Sequence, residues 1–267
     1  MRQSSAKDTR PWLLAAFEEK LLFIEGSNKY SNQTLTIEAR SLQELNRIII
    51  QCRNCPRLVA FRESVSRDGK RRQYADQKYW GRPVPGFGDP SAKLAVVGLA
   101  PAAHGGNRTG RVFTGDNSAR FLVRHLHKAG FANQPTSERR GDGLAYKDAY
   151  ITAVVRCVPP GDKPSTIEKR NCFPYFETEI YLLKNLKALL ALGRVAFDSI
   201  VLLARTRYGA KGQFKFKHGE KYNFAEGFPT VYASYHPSPR NTNTGKLTDQ
   251  MFEDLLRAIR KDLIVDQ

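Results

Sequence analysis

Lys93-Leu-Ala-Val-Val97, followed by Gly98-Leu-Ala-Pro-Ala-Ala-His-Gly-Gly-Asn-Arg-Thr-Gly-Arg-Val-Phe-Thr-Gly-Asp116, is the stretch on which the fold turns. The first five residues are a short apolar run that reads as a buried strand, and a helical pattern begins near Asn117 or Ser118. The nineteen residues between carry five glycines, a His, an Asn, two Arg and an Asp, with no hydrophobic period. A loop of that length pinned between a strand and a helix points to a ligand, because glycines admit close backbone approach and a helix start offers free N–H groups.

The same strand–loop–helix unit recurs outward from this stretch. Ala149–Val155, Leu186–Gly193 and Phe228–Tyr235 read as further strands. The helices between them run from Asn117 to Gly130, from Ser165 to about Lys184 and from Arg194 to Arg207. Met251, Leu255, Leu256 and Ile259 stripe a last helix, and residues 208–227 form an excursion with a hairpin expected at His218-Gly219. Four such repeats predict a three-layer α/β/α domain on a central four-stranded, mainly parallel sheet. Ligands of such sheets gather beyond the carboxyl ends of the strands. There the opening loop, Arg156-Cys157, Gly193 and the loop after His236 all fall.

Upstream, Ser41-x-x-Glu44 has capping-box form before a helix that runs into Cys52. Arg62–Lys78 reads as a polar surface loop, and Tyr79–Pro90 as a stiff, proline-fixed one. The domain is therefore placed at residues 41–267, with 1–40 an N-terminal extension in which Pro11–Phe17 suits a short helix.

Of the 267 residues, 43 are Lys or Arg against 26 Asp or Glu, a net charge of +17 that points to a polyanionic partner. No apolar run of about 18 residues exists, so no membrane role is expected. Nothing at the N-terminus has the apolar core of a secretory signal. A cytoplasmic location follows, in which the four cysteines stay free of disulfides. Cys52 and Cys55 form one pair and Cys157 and Cys172 another. Four thiolates suit tetrahedral zinc or a [4Fe–4S] cluster, and the spacing does not separate the two.

Together, Cys52-Arg-Asn-Cys55-Pro56, Pro83-Val-Pro-Gly-Phe-Gly-Asp89, Gly98–Asp116, Tyr150-Ile-Thr-Ala-Val-Val-Arg-Cys157, Cys172, Ala191-Leu-Gly193 and His236-Pro-Ser-Pro-Arg-Asn-Thr-Asn-Thr-Gly245 resemble the uracil-DNA glycosylase superfamily, most closely its family 5. The resemblance spans roughly residues 45–262. It implies a monofunctional enzyme, a monomer of the bacterial or archaeal nucleoid, that flips uracil out of DNA and hydrolyses its glycosidic bond to leave an abasic site. It further implies a [4Fe–4S] cluster on Cys52, Cys55, Cys157 and Cys172, with structural zinc the alternative. Asp116 and His236 take the catalytic positions. Phe113, Gly98, Ala100, His104 and Ala153 surround the base, and Arg240, Asn241, Pro83 and Pro85 face the DNA.

Two alternatives stand beside those assignments. Asp116 sits where a helix N-cap would sit, and His104 suits either substrate contact or loop shaping. Ala153 replaces the Asn that reads the base in uracil-specific families, so other deaminated or damaged bases such as hypoxanthine and ethenocytosine are expected as substrates. The rival to an enzyme is a zinc or iron–sulfur module that binds damaged DNA without cutting it.

Overall fold

The computed structural model describes residues 37–265, so the segment Pro11–Phe17 and its expected helix lie outside the described residues. Four five-residue strands, β2 (Leu94–Gly98), β3 (Ala149–Ala153), β4 (Ala188–Leu192) and β6 (Thr230–Ser234), pair in parallel in the order β3-β2-β4-β6. Every residue of β2, β3 and β4 is buried, as a parallel sheet covered on both faces requires. Two-residue strands, β1 (Phe87–Gly88) and β5 (Lys221–Tyr222), pair antiparallel with β3 and β6 and bring the sheet to six strands rather than the expected four.

Alternating side chains send the strands into two cores. Leu94, Val96, Ile151, Leu190 and Tyr232 meet α4 (Asn117–Lys128) and α8 (Asp249–Val265) on one face. Ala95, Val97, Leu189, Val231 and Ala233 meet α5 (Thr166–Leu182) and α6 (Arg194–Tyr208) on the other. Outside this frame, α1 (Leu42–Gln51) lays Leu45 and Ile49 against Tyr175 of α5. Ser41 caps α1 by accepting from the Glu44 N–H, and Ser165 with Glu168 closes a full capping box on α5.

Two expectations change. Pro56–Arg67 is a helix, α2, where a polar loop was expected from Arg62 onward. Its buried side is Leu58, Val59, Arg62 and Val65, and the arginine in the middle of that face breaks the apolar period. The excursion at 209–227 does turn at His218-Gly219, but its strand β5 pairs with β6, while Phe214, Phe216, Tyr222 and Phe224 cluster around Phe197. Two single-turn helices, α3 (Gly106–Thr109) and α7 (Pro239–Thr242), lie in the loops after β2 and β6.

Candidate active site

Because the four long strands are parallel, their carboxyl ends share one rim, and Gly98 at the end of β2 stands in register with Ala153 at the end of β3. Backbone pairing continues into the loops: the Val154 and Val155 N–H groups donate to the Gly98 and Leu99 carbonyls at 3.0 and 2.9 Å. On this rim Ala100, Val112, Phe113, Asp116, Ala153 and His236 line a recess of about 50 Å³.

Phe113 has φ +44°, the left-handed region that non-glycine residues rarely adopt. Its ring lies so close over Gly98 that a Cβ there would stand 2.7 and 2.9 Å from ring carbons. Gly98 thus acts as the floor beneath an aromatic plate. The strained backbone is held from the 133–147 segment. Ser137 Oγ donates to the Phe113 carbonyl at 3.0 Å, and buried Arg111 donates to Thr114 Oγ1, Ser137 Oγ and Asp142 Oδ2 at 2.8, 3.0 and 2.7 Å. Burial opposes the charge on Asp142, but Arg111 and the N–H groups of Arg139, Leu144 and Glu138 hold its carboxyl well below the usual carboxylate range.

Asp116 is the N-cap of α4, its Oδ1 accepting from the Ala119 N–H at 2.9 Å, and it lines the recess at the same time. Gly105 packs against the other oxygen, leaving no room there for a side chain. Burial raises the Asp116 carboxyl, against the pull of the Ala119 and Ser118 N–H groups and the charge of Arg108. His236 faces Phe113 with ring centroids 6.0 Å apart. Burial lowers its imidazole to about 4, so it is neutral near neutral pH. Its carbonyl accepts from the Ser238 N–H and from Asn241 Nδ2, both at 2.8 Å.

The remaining expected site residues divide. His104 does not line the recess: its Nδ1 lies 3.0 Å from the Tyr79 hydroxyl and its carbonyl accepts from Arg108 Nε at 2.7 Å. Asn241 is committed to the His236 carbonyl, whereas Arg240 is exposed on a shallow surface with Lys246. Pro83, expected at the DNA face, is instead buried against the cysteines with its carbonyl taken by Trp80 Nε1 at 3.0 Å. Pro85, two residues on, is half-buried.

Cys52 ends α1, Cys55 caps α2, Cys157 follows β3 and Cys172 lies within α5, and all four line one cavity with Arg62, Arg156 and Tyr175. Burial raises the thiols of Cys55, Cys157 and Cys172, that of Cys157 to about 11 and that of Cys172 to about 12. Among the described residues no group of three or more His, Cys, Asp or Glu side chains is arranged to hold a single metal ion. No helix of the described residues is long and apolar enough to cross a membrane.

The profile of the Uracil DNA glycosylase superfamily matches residues 85–260, which include the whole rim. The chain belongs to that superfamily. Relatives within the uracil DNA glycosylases are named type-5 uracil-DNA glycosylases. That of Mycobacterium tuberculosis is 46% identical over 84% of this chain and 82% of its own length. That of Thermus thermophilus is 46% identical over 79% and 93%, and that of Pyrobaculum aerophilum 44% over 80% and 90%. A type-4 uracil-DNA glycosylase of Pyrobaculum aerophilum is more distant, at 29% over 66% of this chain.

Sequence reasoning within this superfamily motif missed the residues that brace it. Arg108 donates to the His104 carbonyl, Gln77 Oε1 and the Gly115 carbonyl, stitching the loop to the segment before it. Glu179 of α5 takes hydrogen bonds from Thr152, Tyr150 and Arg156 beneath Ala153, the last at 2.7 Å in a fully buried ion pair. Charged residues inside a glycine-rich loop were the available signal for Arg108 and Arg111. Nothing local marked Ser137, Asp142 or Glu179.

Proposed function

We propose that this chain removes uracil from DNA by hydrolysing the bond between C1′ and N1, and that it accepts other deaminated or damaged bases. The observation that carries the reading is the meeting of Phe113, Asp116 and His236 in one recess at the carboxyl rim of the sheet. The type-5 names of relatives 44 to 46% identical support it. A recess of that size takes a base only after extrusion from the stack, which costs a few kcal/mol. Stacking on Phe113 returns about 1–3 kcal/mol of that.

As C1′–N1 breaks, the bonding pair moves onto the base and the sugar becomes cationic. A neutral His236 supplies an N–H to the pyrimidine O2 as negative charge grows there, with no imidazolium needed, since its pKa of about 4 keeps it neutral. Asp116 as a carboxylate stabilises the sugar cation or orients the water that adds to C1′. Ala153 lines the recess with a methyl group, so no side-chain amide there rejects bases other than uracil. Arg240 and Lys246, and Arg71, Arg72 and Lys78 beside the site loop, are the residues we assign to phosphates. None of these five forms an ion pair with a described residue.

The four cysteines suit a [4Fe–4S] cluster as a structural brace between α1, α2, α5 and the end of β3. In such a cluster each thiolate takes its own iron, so four sulfurs around one cavity meet its need without converging on a single ion. Buried Arg62, which pairs with no carboxylate of the described residues, gives the cavity a positive charge that fits an anionic centre.

Incubating the pure chain with duplexes carrying U·G, hypoxanthine·T or ethenocytosine·G, followed by alkali, tests the reading. Cleavage at uracil and at one or more of the others is expected. Uracil cleavage alone would overturn the broad specificity, and no cleavage on any of them would leave the DNA-damage-binding alternative.

A further inference from the structure

One side chain near the cysteines has the wrong surroundings for a structural arginine. Arg62 is 2% exposed on the inner face of α2. Its Nη1 donates to Cys157 Sγ at 2.9 Å, and both terminal nitrogens reach the Cys52 carbonyl at 3.2 Å. Its Nε has no partner, and no carboxylate of the described residues pairs with it. The neighbouring buried arginine, Arg156, differs in having Glu179 at 2.7 Å.

A buried guanidinium without a counter-charge is among the more costly arrangements a protein can hold. The other groups at its terminal nitrogens are a neutral carbonyl and a cysteine sulfur. Glu63 acts on Arg62 only at longer range; among the groups hydrogen-bonded to Arg62 only the Cys157 sulfur can carry negative charge, and thiolate is the form in which cysteine binds metal.

We propose that Arg62 is the charge partner of the thiolate centre, a positioning residue that retains the metal and sets its reduction potential. The inference rests on the iron–sulfur reading above, and it names a function for a residue that forms no part of the base pocket. Hydrogen bonds to cluster sulfurs and nearby positive charge stabilise the more reduced state and so raise the potential. Removing the charge favours oxidation, the step through which such clusters are lost in air. Arg62 also touches the site loop. Its backbone carbonyl accepts from Asn107 Nδ2 of α3 at 3.2 Å, so the charge partner of the centre stands one hydrogen bond from the loop that carries Phe113 and Asp116.

The test uses the full chain purified without oxygen, with Arg62→Gln, which keeps donors and loses charge, and Arg62→Lys, which keeps the charge. Iron and sulfide per chain, the potential by redox titration of the visible absorbance, and the rate of iron release to a chelator in air are measured for each. The Gln variant is expected to show a lower potential and roughly tenfold faster iron release, with Lys close to the parent. A Gln variant too unstable to hold iron, beside a Lys variant that holds it, supports the proposal equally. Wild-type potential and release rate in the Gln variant, or equal loss in both variants, overturns it. If the parent chain holds zinc instead of iron and sulfide, the iron–sulfur reading fails while zinc release still tests Arg62. A parent with no bound metal overturns both.

Discussion

At Asp116 one carboxylate stands in two places at once, at the helix cap and in the lining of the recess. If the carboxylate also acts in the reaction proposed above, a simple deletion confounds stability with chemistry. The pair Asp116→Asn and Asp116→Ala separates them. Asn is as good a cap as Asp, so the Asn variant should unfold at close to the parent's urea midpoint, while the Ala variant loses about 0.5–2 kcal/mol. Both should release uracil at least a hundredfold more slowly in single turnovers, and a fully active Asn variant would reduce Asp116 to a cap. His236 makes a pH prediction. Its pKa is about 4 when folded, against about 6.5 unfolded, so the unfolded chain takes up the proton first. The stability linked to neutral His236 is complete above about pH 6.5 and is lost as pH falls toward 4. His104, His125 and His218 are shifted down by burial as well and share that loss. Urea titrations across this range should therefore show the parent losing more stability on acidification than His236→Asn does.

At the scale of elements, the loop after β2 works because rigid neighbours hold it. Gly98 lacks a side chain where Phe113 lies, so Gly98→Ala should push the ring aside without disturbing the buried strand pairing. We expect kcat/KM for uracil release to fall about tenfold, the scale of one lost stacking contact, with an unchanged circular-dichroism spectrum. These elements also mark what could be read in advance. The four strands and their helices were legible because parallel strands are continuous apolar runs and the intervening helices carry clear stripes. Ser165 and Glu168 announced their capping box. Helix α2 was not legible, because Arg62 occupies a core position and its hydrogen-bond partner lies far along the chain at Cys157. The bracing of this loop, Phe113 by Ser137 and Arg111 by Asp142, escaped for the same reason: partners 24 and 31 residues away leave no periodic trace. Pro83 belongs to a motif that looks exposed and is buried by the tertiary fold.

For the whole molecule, the net charge of +17 sets how it meets DNA. Each phosphate contact contributes about 0.9 to the slope of log affinity against log salt. Replacing Arg71, Arg72 and Lys78 together by Ala should flatten that slope by about 2–3, measured by fluorescence anisotropy on an uncleavable duplex, with single-turnover release at saturating enzyme unchanged. An unaltered slope would remove this segment from the DNA interface. The same basic character crowds copies onto a shared polyanion, and there the outer margins of the sheet matter. Its flanking strands, Phe87–Gly88 and Lys221–Tyr222, are two residues long and run against their neighbours, and Lys221 is exposed on one of them. A margin so short, with a lysine upon it, gives another chain no ladder of free amides on which to add a strand. Among the described residues the sheet thus offers little template for strand addition when copies crowd together on a polyanion.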